Sequence, residues 1–199
     1  MAVDIRKPLK KLLPHLLKAQ ADNLNEGDTV QRVIKVFEEV LGYDPMVEIS
    51  RESAIKEKYC DLALKIDDAI RILVEVKAAG MVLRDRHTEQ AQNYASHGNI
   101  RWVVLTNGVM WNLYHLTFEE GIEATLAFTV ELSGEGASEK ACEFLALLHR
   151  QSVKKGDLDD YWERRVALSP ASIGRALFTE EALKFIRREI RRREGVSID

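Results

Sequence analysis

Leu62, Leu64, Ile66, Ile70, Ile72, Val74 and Val76 alternate with other residues along the stretch DLALKIDDAIRILVEVK, residues 61–77. A period of two over this length predicts two strands of a hairpin with one buried face. Turn length decides the register, because a slip of one residue moves every side chain to the other face. A two-residue turn made by Asp67 and Asp68 alone sets Leu64 against Arg71 and Asp61 against Val74, mixing polar with apolar on both faces. A connection one residue longer pairs Leu62 with Val74, Leu64 with Ile72 and Ile66 with Ile70, and the pattern predicts that register. It also sets Asp61 opposite Glu75 and Lys65 opposite Arg71, with Lys77 on the face of the two acids.

Carboxylates directly opposite each other on a sheet repel, and Lys77 offsets only part of that repulsion. A divalent cation resolves the conflict. Mg²⁺ takes one or two carboxylates, keeps several waters and binds phosphate oxygens. There it activates water and neutralises developing charge. Asp61, Glu75 and Lys77 also read as an ordinary ion cluster on a half-exposed sheet. Spacing alone leaves both readings open.

The same patterning organises the rest of the chain. Residues 5–22 predict an amphipathic helix kinked or restarted at Pro14. Asn25 is an N-cap candidate for a helix whose stripe is Val30, Val33, Ile34, Phe37, Val40 and Leu41, closed by Gly42. Strands are predicted near 46–50, 58–66 and 70–77, then a helix over 85–96 ended by His97-Gly98. IRWVVLTNG is a buried strand closing on an Asn-Gly turn, VMWNLYHL is its neighbour, and 125–132 adds another strand. From Ser138 the pattern turns helical, with segments at EKACEFLALLHR, LDDYWERRVAL and, capped by Thr179, EEALKFIRREIRRR. The reading is an α/β core over 1–132 and a helical extension over 133–199.

Composition narrows the partners. With 46% hydrophobic and 31% charged residues the chain supports a sizeable core. The net charge of -3 gives no global attraction for nucleic acid, so an anionic ligand needs a local patch or metal ions. Cys60 and Cys142 are too few for a zinc cluster or a disulfide framework. The N-terminal apolar runs are short and broken by Pro8, Lys10, Lys11 and Pro14, and no segment approaches a membrane span. The expectation is a cytoplasmic protein with no membrane partner.

Asp61 followed by Glu75-Val76-Lys77 on the next strand resembles the PD-(D/E)xK nuclease core. The flanking pieces sharpen the resemblance. NEGDTVQRVIKVFEEVLGYD places Glu26 at the head of a helix, KYCDLAL precedes LVEVKAAG, EQAQNYA spaces Gln90 and Tyr94 by four, and WVVLTNGVMWNLY closes the core. In this order they resemble the N-terminal nuclease domain of the type I restriction enzyme R subunit, over about residues 20–120, and small free-standing proteins built on it. The resemblance implies a restriction-endonuclease-like mixed sheet flanked by helices, acting as a Mg²⁺- or Mn²⁺-dependent DNA endonuclease. Asp61 and Glu75 are then metal ligands, the Val76 carbonyl completes the set, and Lys77 positions or helps activate the attacking water. Glu26 reaches the site as an outer ligand or through water, or is simply a helix-start acid favoured by the dipole. Gln90 and Tyr94 share a helix face, where they orient Lys77, meet the DNA backbone, or only pack the helix.

Two departures qualify this. Cys60, not proline, precedes Asp61, and no GxxxxGK[ST] phosphate loop occurs, so the chain carries no ATP-driven motor. A separate motor or specificity subunit is therefore an expected partner beside DNA. The rival reading is a nucleic-acid-binding or assembly module of a defence complex that keeps the fold without efficient cleavage. The run from Lys184 to Arg193 is either a phosphate-tracking helix or a solvated face balanced by its glutamates. The five histidines show no ligand spacing and read as incidental, and Trp102, Trp111 and Trp162 read as packing residues.

Overall fold

β3 (Ala69–Val76) occupies the middle of the sheet because its side chains find apolar cover on both faces. The computed structural model describes residues 3–55, 58–119, 121–132 and 138–196, except for the side chains of 52–55, 58, 59 and 90. Helix α1 (Arg6–Ala21) runs unbroken through Pro14 rather than restarting there. Helix α2 (Glu26–Lys35) begins at Asn25, whose side chain accepts from the Asp28 N–H, and continues as a π-helical turn over Val36–Val40. The sheet follows, with β1 (Ile49–Ile55), β2 (Lys58–Ile66), β3, β4 (Trp102–Thr106), β5 (Met110–Thr117) and β6 (Glu123–Glu131). A 3₁₀ turn (Asp85–Thr88) leads into α3 (Glu89–Gly98), which carries the chain from β3 to β4.

The six strands lie in sequence order, and every neighbouring pair is antiparallel except β3 and β4, which are parallel. This is the expected mixed sheet flanked by helices. The first strand differs from expectation. A turn occupies 45–48, and β1 starts at Ile49.

The hairpin corrects the expected turn while keeping the register where it matters. Leu62 faces Val74 and Leu64 faces Ile72, but Lys65 faces Ile70 and Ile66 faces Ala69. The connection is the two-residue turn Asp67–Asp68, with φ of 49° and 62° at the two positions. Positive φ at both matches the twist of the flanking strands, and short acidic residues tolerate it. The register is recovered by a bulge between Leu64 and Lys65, which leaves Arg71 as the extra residue.

Both faces of the hairpin are covered. Ala63 and Leu73 are buried in one cluster with Val103, Leu105 and the α3 residues Ala91, Tyr94 and Ala95. By strand alternation Leu62, Leu64, Ile72 and Val74 point the other way, toward the side where α2 meets β3, and all four are fully buried. Phe37, just beyond α2, closes that side edge-on against Trp111 and Tyr43.

By its contacts the chain forms two compact units, residues 1–158 and 159–199. Helices α4 (Glu139–Ala146) and α5 (Arg150–Lys155) belong to the sheet unit. Phe144 of α4 stacks on Phe128 at 5.0 Å, the Tyr43 hydroxyl donates to the Leu148 carbonyl, and Arg150 binds both oxygens of Glu48. The second unit, residues 159–199, holds most of α6 (Asp157–Ala167) and all of α7 (Pro170–Leu177) and α8 (Glu180–Glu194). Among its described residues none is buried.

Candidate active site

The charged cluster forms where β2 and β3 part. Their ladder pairing is present from Leu62 and Val74 onward, toward the turn. Past that point the Asp61 carboxylate takes the place of a ladder acceptor, and its Oδ2 accepts the Val76 N–H at 2.7 Å. On the other edge the Lys77 N–H donates to the Thr106 carbonyl at 2.8 Å, which extends the β3–β4 pairing. The C=O and N–H of one peptide unit point in opposite directions, so the Val76 carbonyl is directed to the Asp61 side. The loop after β3 is held in turn by an Ala79 N–H bond to the Leu24 carbonyl at 3.0 Å. That bond sets the exit of β3 beside the start of α2, where Asn25 fixes the first turn and Glu26 with it.

Glu75 and Lys77 follow Leu73 along the face covered by α3. Glu75 is 3% exposed, so its carboxylate is buried rather than set on a half-exposed face. Its Oε1 accepts from Lys77 Nζ at 2.7 Å, and Lys77 Nζ lies 3.4 Å from Glu26 Oε2. Its second oxygen, Oε2, is buried with no hydrogen-bond partner. An unpaired buried carboxylate oxygen is costly and calls for a ligand or a functional explanation. Burial pushes the Glu75 carboxyl up to about 7, the Lys77 hydrogen bond opposes this, and the charges of Asp61 and Glu26 add to it. Burial pulls the Lys77 ammonium down, but its bond to Glu75 and the charges of Glu75, Glu26 and Asp61 outweigh that and raise it. The pair therefore holds a protonated Lys77 between two acids.

Asp61, Glu75, Lys77 and Glu26 thus come together in one charged group. The Glu26 carboxylate is placed on the Lys77 ammonium. Among the described residues no group of three or more His, Cys, Asp or Glu side chains is arranged to hold a metal ion. A hard cation that keeps most of its waters needs fewer, and the orphan Glu75 oxygen, the Asp61 carboxylate and the Val76 carbonyl are the donor types it takes. Tyr94 is fully buried in the α3 cluster, so contact with a DNA backbone does not fit it, and its ring packs the helix onto the sheet. The Gln90 side chain lies outside the described residues.

His87 had no spacing to mark it in the sequence. In the fold it lies within electrostatic reach of Lys77 and Glu26, and desolvation followed by the surrounding cations lowers its pKa. A histidine at the entry to the helix that covers the site was the only available signal. The run 184–193 is α8, in the second unit. There Lys184 pairs with Glu180, Arg192 and Arg193 pair with Glu189, and Arg188 lies over the Phe185 ring.

A mixed sheet with an acid–acid–ammonium group at the carboxyl end of its central strand defines the class of α/β domain with a polar site at a strand terminus. The chain belongs to the family of the type I restriction enzyme R protein N terminus (HSDR_N), which it matches over residues 25–126. No curated protein gives a match. Among solved structures the chain is similar to the type IIG restriction endonuclease BpuSI, at 14% identity with a TM-score of 0.47. The likeness covers 69% of this chain and 18% of that one, so the chain spans less than a fifth of that enzyme's length. Among the described residues no helix is long and apolar enough to cross a membrane.

Proposed function

We propose that the protein is a DNA endonuclease dependent on Mg²⁺ or Mn²⁺, and that a separate motor or specificity subunit directs it. The observation that carries this reading is the orphan Oε2 of a buried Glu75, set beside Asp61 and Lys77 in a member of a restriction-enzyme family. Asp61, Glu75 and the Val76 carbonyl would hold the cation. When bound, such an ion lowers the pKa of water and offsets charge on the phosphate.

The remaining work falls to groups of the chain itself. The Val76 N–H fixes the Asp61 carboxylate through Oδ2. Glu75 and Glu26 hold the Lys77 ammonium from two directions and keep it protonated at neutral pH. Lys77 therefore donates hydrogen bonds to the water or the phosphoryl oxygens rather than accepting a proton. The cover of α3 over Ala63 and Leu73 keeps the floor of the site dry, where charge–charge interactions are stronger than in water.

Direct Mn²⁺ titration followed by electron paramagnetic resonance tests the ligand set apart from catalysis. One site should appear in the wild type and weaken at least about tenfold in Asp61→Asn, the order seen when groups that support a metal site are lost. Equal Mn²⁺ binding by both proteins rules out Asp61 as a ligand. The accompanying assay incubates plasmid DNA with Mg²⁺, and Asp61→Asn should be inactive.

A further inference from the structure

Between β3 and α3 the chain carries four charged or titratable side chains in succession, Arg84, Asp85, Arg86 and His87. The fold occupies the one acid among them. Asp85 Oδ1 accepts from the Tyr114 hydroxyl at 2.7 Å, and its carbonyl accepts from Thr88 Oγ1 at 2.6 Å. The turn is closed twice more. The His87 N–H donates to the Arg84 carbonyl at 2.9 Å, and the Arg84 N–H donates to His87 Nδ1 at 3.2 Å. A backbone N–H only donates, so Nδ1 is the bare nitrogen and the neutral ring carries its proton on Nε2. Arg84 and Arg86 are exposed, and among the described residues neither forms an ion pair. The turn runs directly into α3, which packs over β2 and over β3, the strand that carries Glu75, and the His87 ring lies within electrostatic reach of Lys77 and Glu26.

We propose that Arg84, Arg86 and His87 form a clamp for the phosphodiester backbone of the polynucleotide, next to the phosphate held at Asp61, Glu75 and Lys77. The identity of the ligand rests on the nuclease reading above. A chain of net charge -3 has no global pull on a polyanion, so its cations must be placed locally. Guanidinium forks match phosphate oxygens in pairs, and a neutral ring N–H adds a directional donor without further charge. The fixed turn means that little order is lost when the phosphate arrives.

The test is binding of a short fluorescein-labelled DNA duplex by the full chain in EDTA, with cleavage switched off, across a salt series. Arg84→Ala/Arg86→Ala should weaken binding at low salt by at least about tenfold and make the log–log salt slope shallower by about 2. His87→Ala should weaken binding with the slope unchanged, because a neutral ring displaces no counterion. Lys10→Ala/Lys11→Ala removes the same charge from α1 and should leave the slope nearly as in the wild type. Melting temperature serves as the fold control, since both arginines are exposed. An unchanged slope in the arginine variant, or an equal loss in the α1 variant, overturns the clamp. A wild type that cleaves while Arg84→Ala/Arg86→Ala binds normally removes the clamp and leaves the nuclease standing. Arginine-dependent binding by a wild type that never cleaves does the opposite. No DNA binding at any salt removes both.

Discussion

Glu75→Gln is the most informative single change, because the amide keeps the shape of the side chain and removes only the charge. In the folded protein the Glu75 carboxyl is pushed from its ordinary 4.5 up to about 7, chiefly by burial. Each pKa unit corresponds to ~1.4 kcal/mol, so ionising Glu75 in the cation-free fold costs about 3 kcal/mol. The sign follows from proton uptake. Between pH 4.5 and 7 the folded wild type holds a proton at Glu75 that the unfolded chain has released, so wild-type stability falls as pH rises through this window. The variant has no such proton. The stability difference, Gln minus Glu, should therefore rise with pH at up to ~1.4 kcal/mol per unit and level off above about pH 7. Placing an amide nitrogen where Oε2 has no partner adds a cost, but that cost is the same at every pH. Urea unfolding in EDTA, repeated from acid to mildly alkaline pH, separates the two. A difference that stays flat across the window means that Glu75 is not a destabilised buried carboxylate, and the case for a cation there loses its physical basis.

Other consequences follow from the same geometry. Mg²⁺ at a fixed concentration about ten times its Kd at pH 7 should raise the melting temperature by roughly 3–6 °C; at that concentration the gain should grow from pH 6 to 8, because cation and proton compete at Glu75, and differential scanning calorimetry should find most of it lost in Asp61→Asn. Asp61→Ala, which also strips the Val76 N–H of its acceptor, should be about 1–3 kcal/mol less stable than Asp61→Asn in EDTA, and equal urea midpoints for the two would show that this bond carries no weight. Asp68→Gly should raise the melting temperature, since it relieves the left-handed conformation at φ 62° at a site with no role in the charged group.

The hairpin was legible because its alternating aliphatics tolerate only one register near the acids, and Leu62–Val74 and Leu64–Ile72 pair as expected. The turn was not. Asp67 and Asp68 in left-handed conformation and the extra residue at Arg71 compensate each other, and a pairing argument cannot distinguish that combination from a longer loop. The closeness of Asp61, Glu75 and Lys77 could be inferred from strand alternation, but the burial of Glu75 could not, since it depends on α3 folding back over Ala63 and Leu73. The attachment of α4 and α5 to the sheet was not legible for a related reason. What ties α4 and α5 to the sheet is long-range, namely Phe144 on Phe128 and Arg150 on Glu48. Helix α7 went unread because PASIGRAL is short and carries a glycine, yet Ser169 caps it and Pro170 starts it.

The central claim is that this acid–acid–ammonium group hydrolyses DNA with a divalent cation, and Lys77 tests it most directly. Its ammonium ligates no metal, so Lys77→Ala leaves Asp61 and the Val76 carbonyl in place while removing a group that stabilises developing charge. Such a group is worth ~10²–10³ in rate. Cleavage rates on supercoiled, linear and single-stranded DNA with Mg²⁺ or Mn²⁺, measured alongside DNA affinity in EDTA, are expected to show metal-dependent cleavage by the wild type. Lys77→Ala is expected to be at least about 100-fold slower with nearly unchanged affinity. Absence of metal-dependent cleavage on every DNA form, with wild type and Lys77→Ala binding alike, would contradict the account and leave a nucleic-acid-binding module in its place.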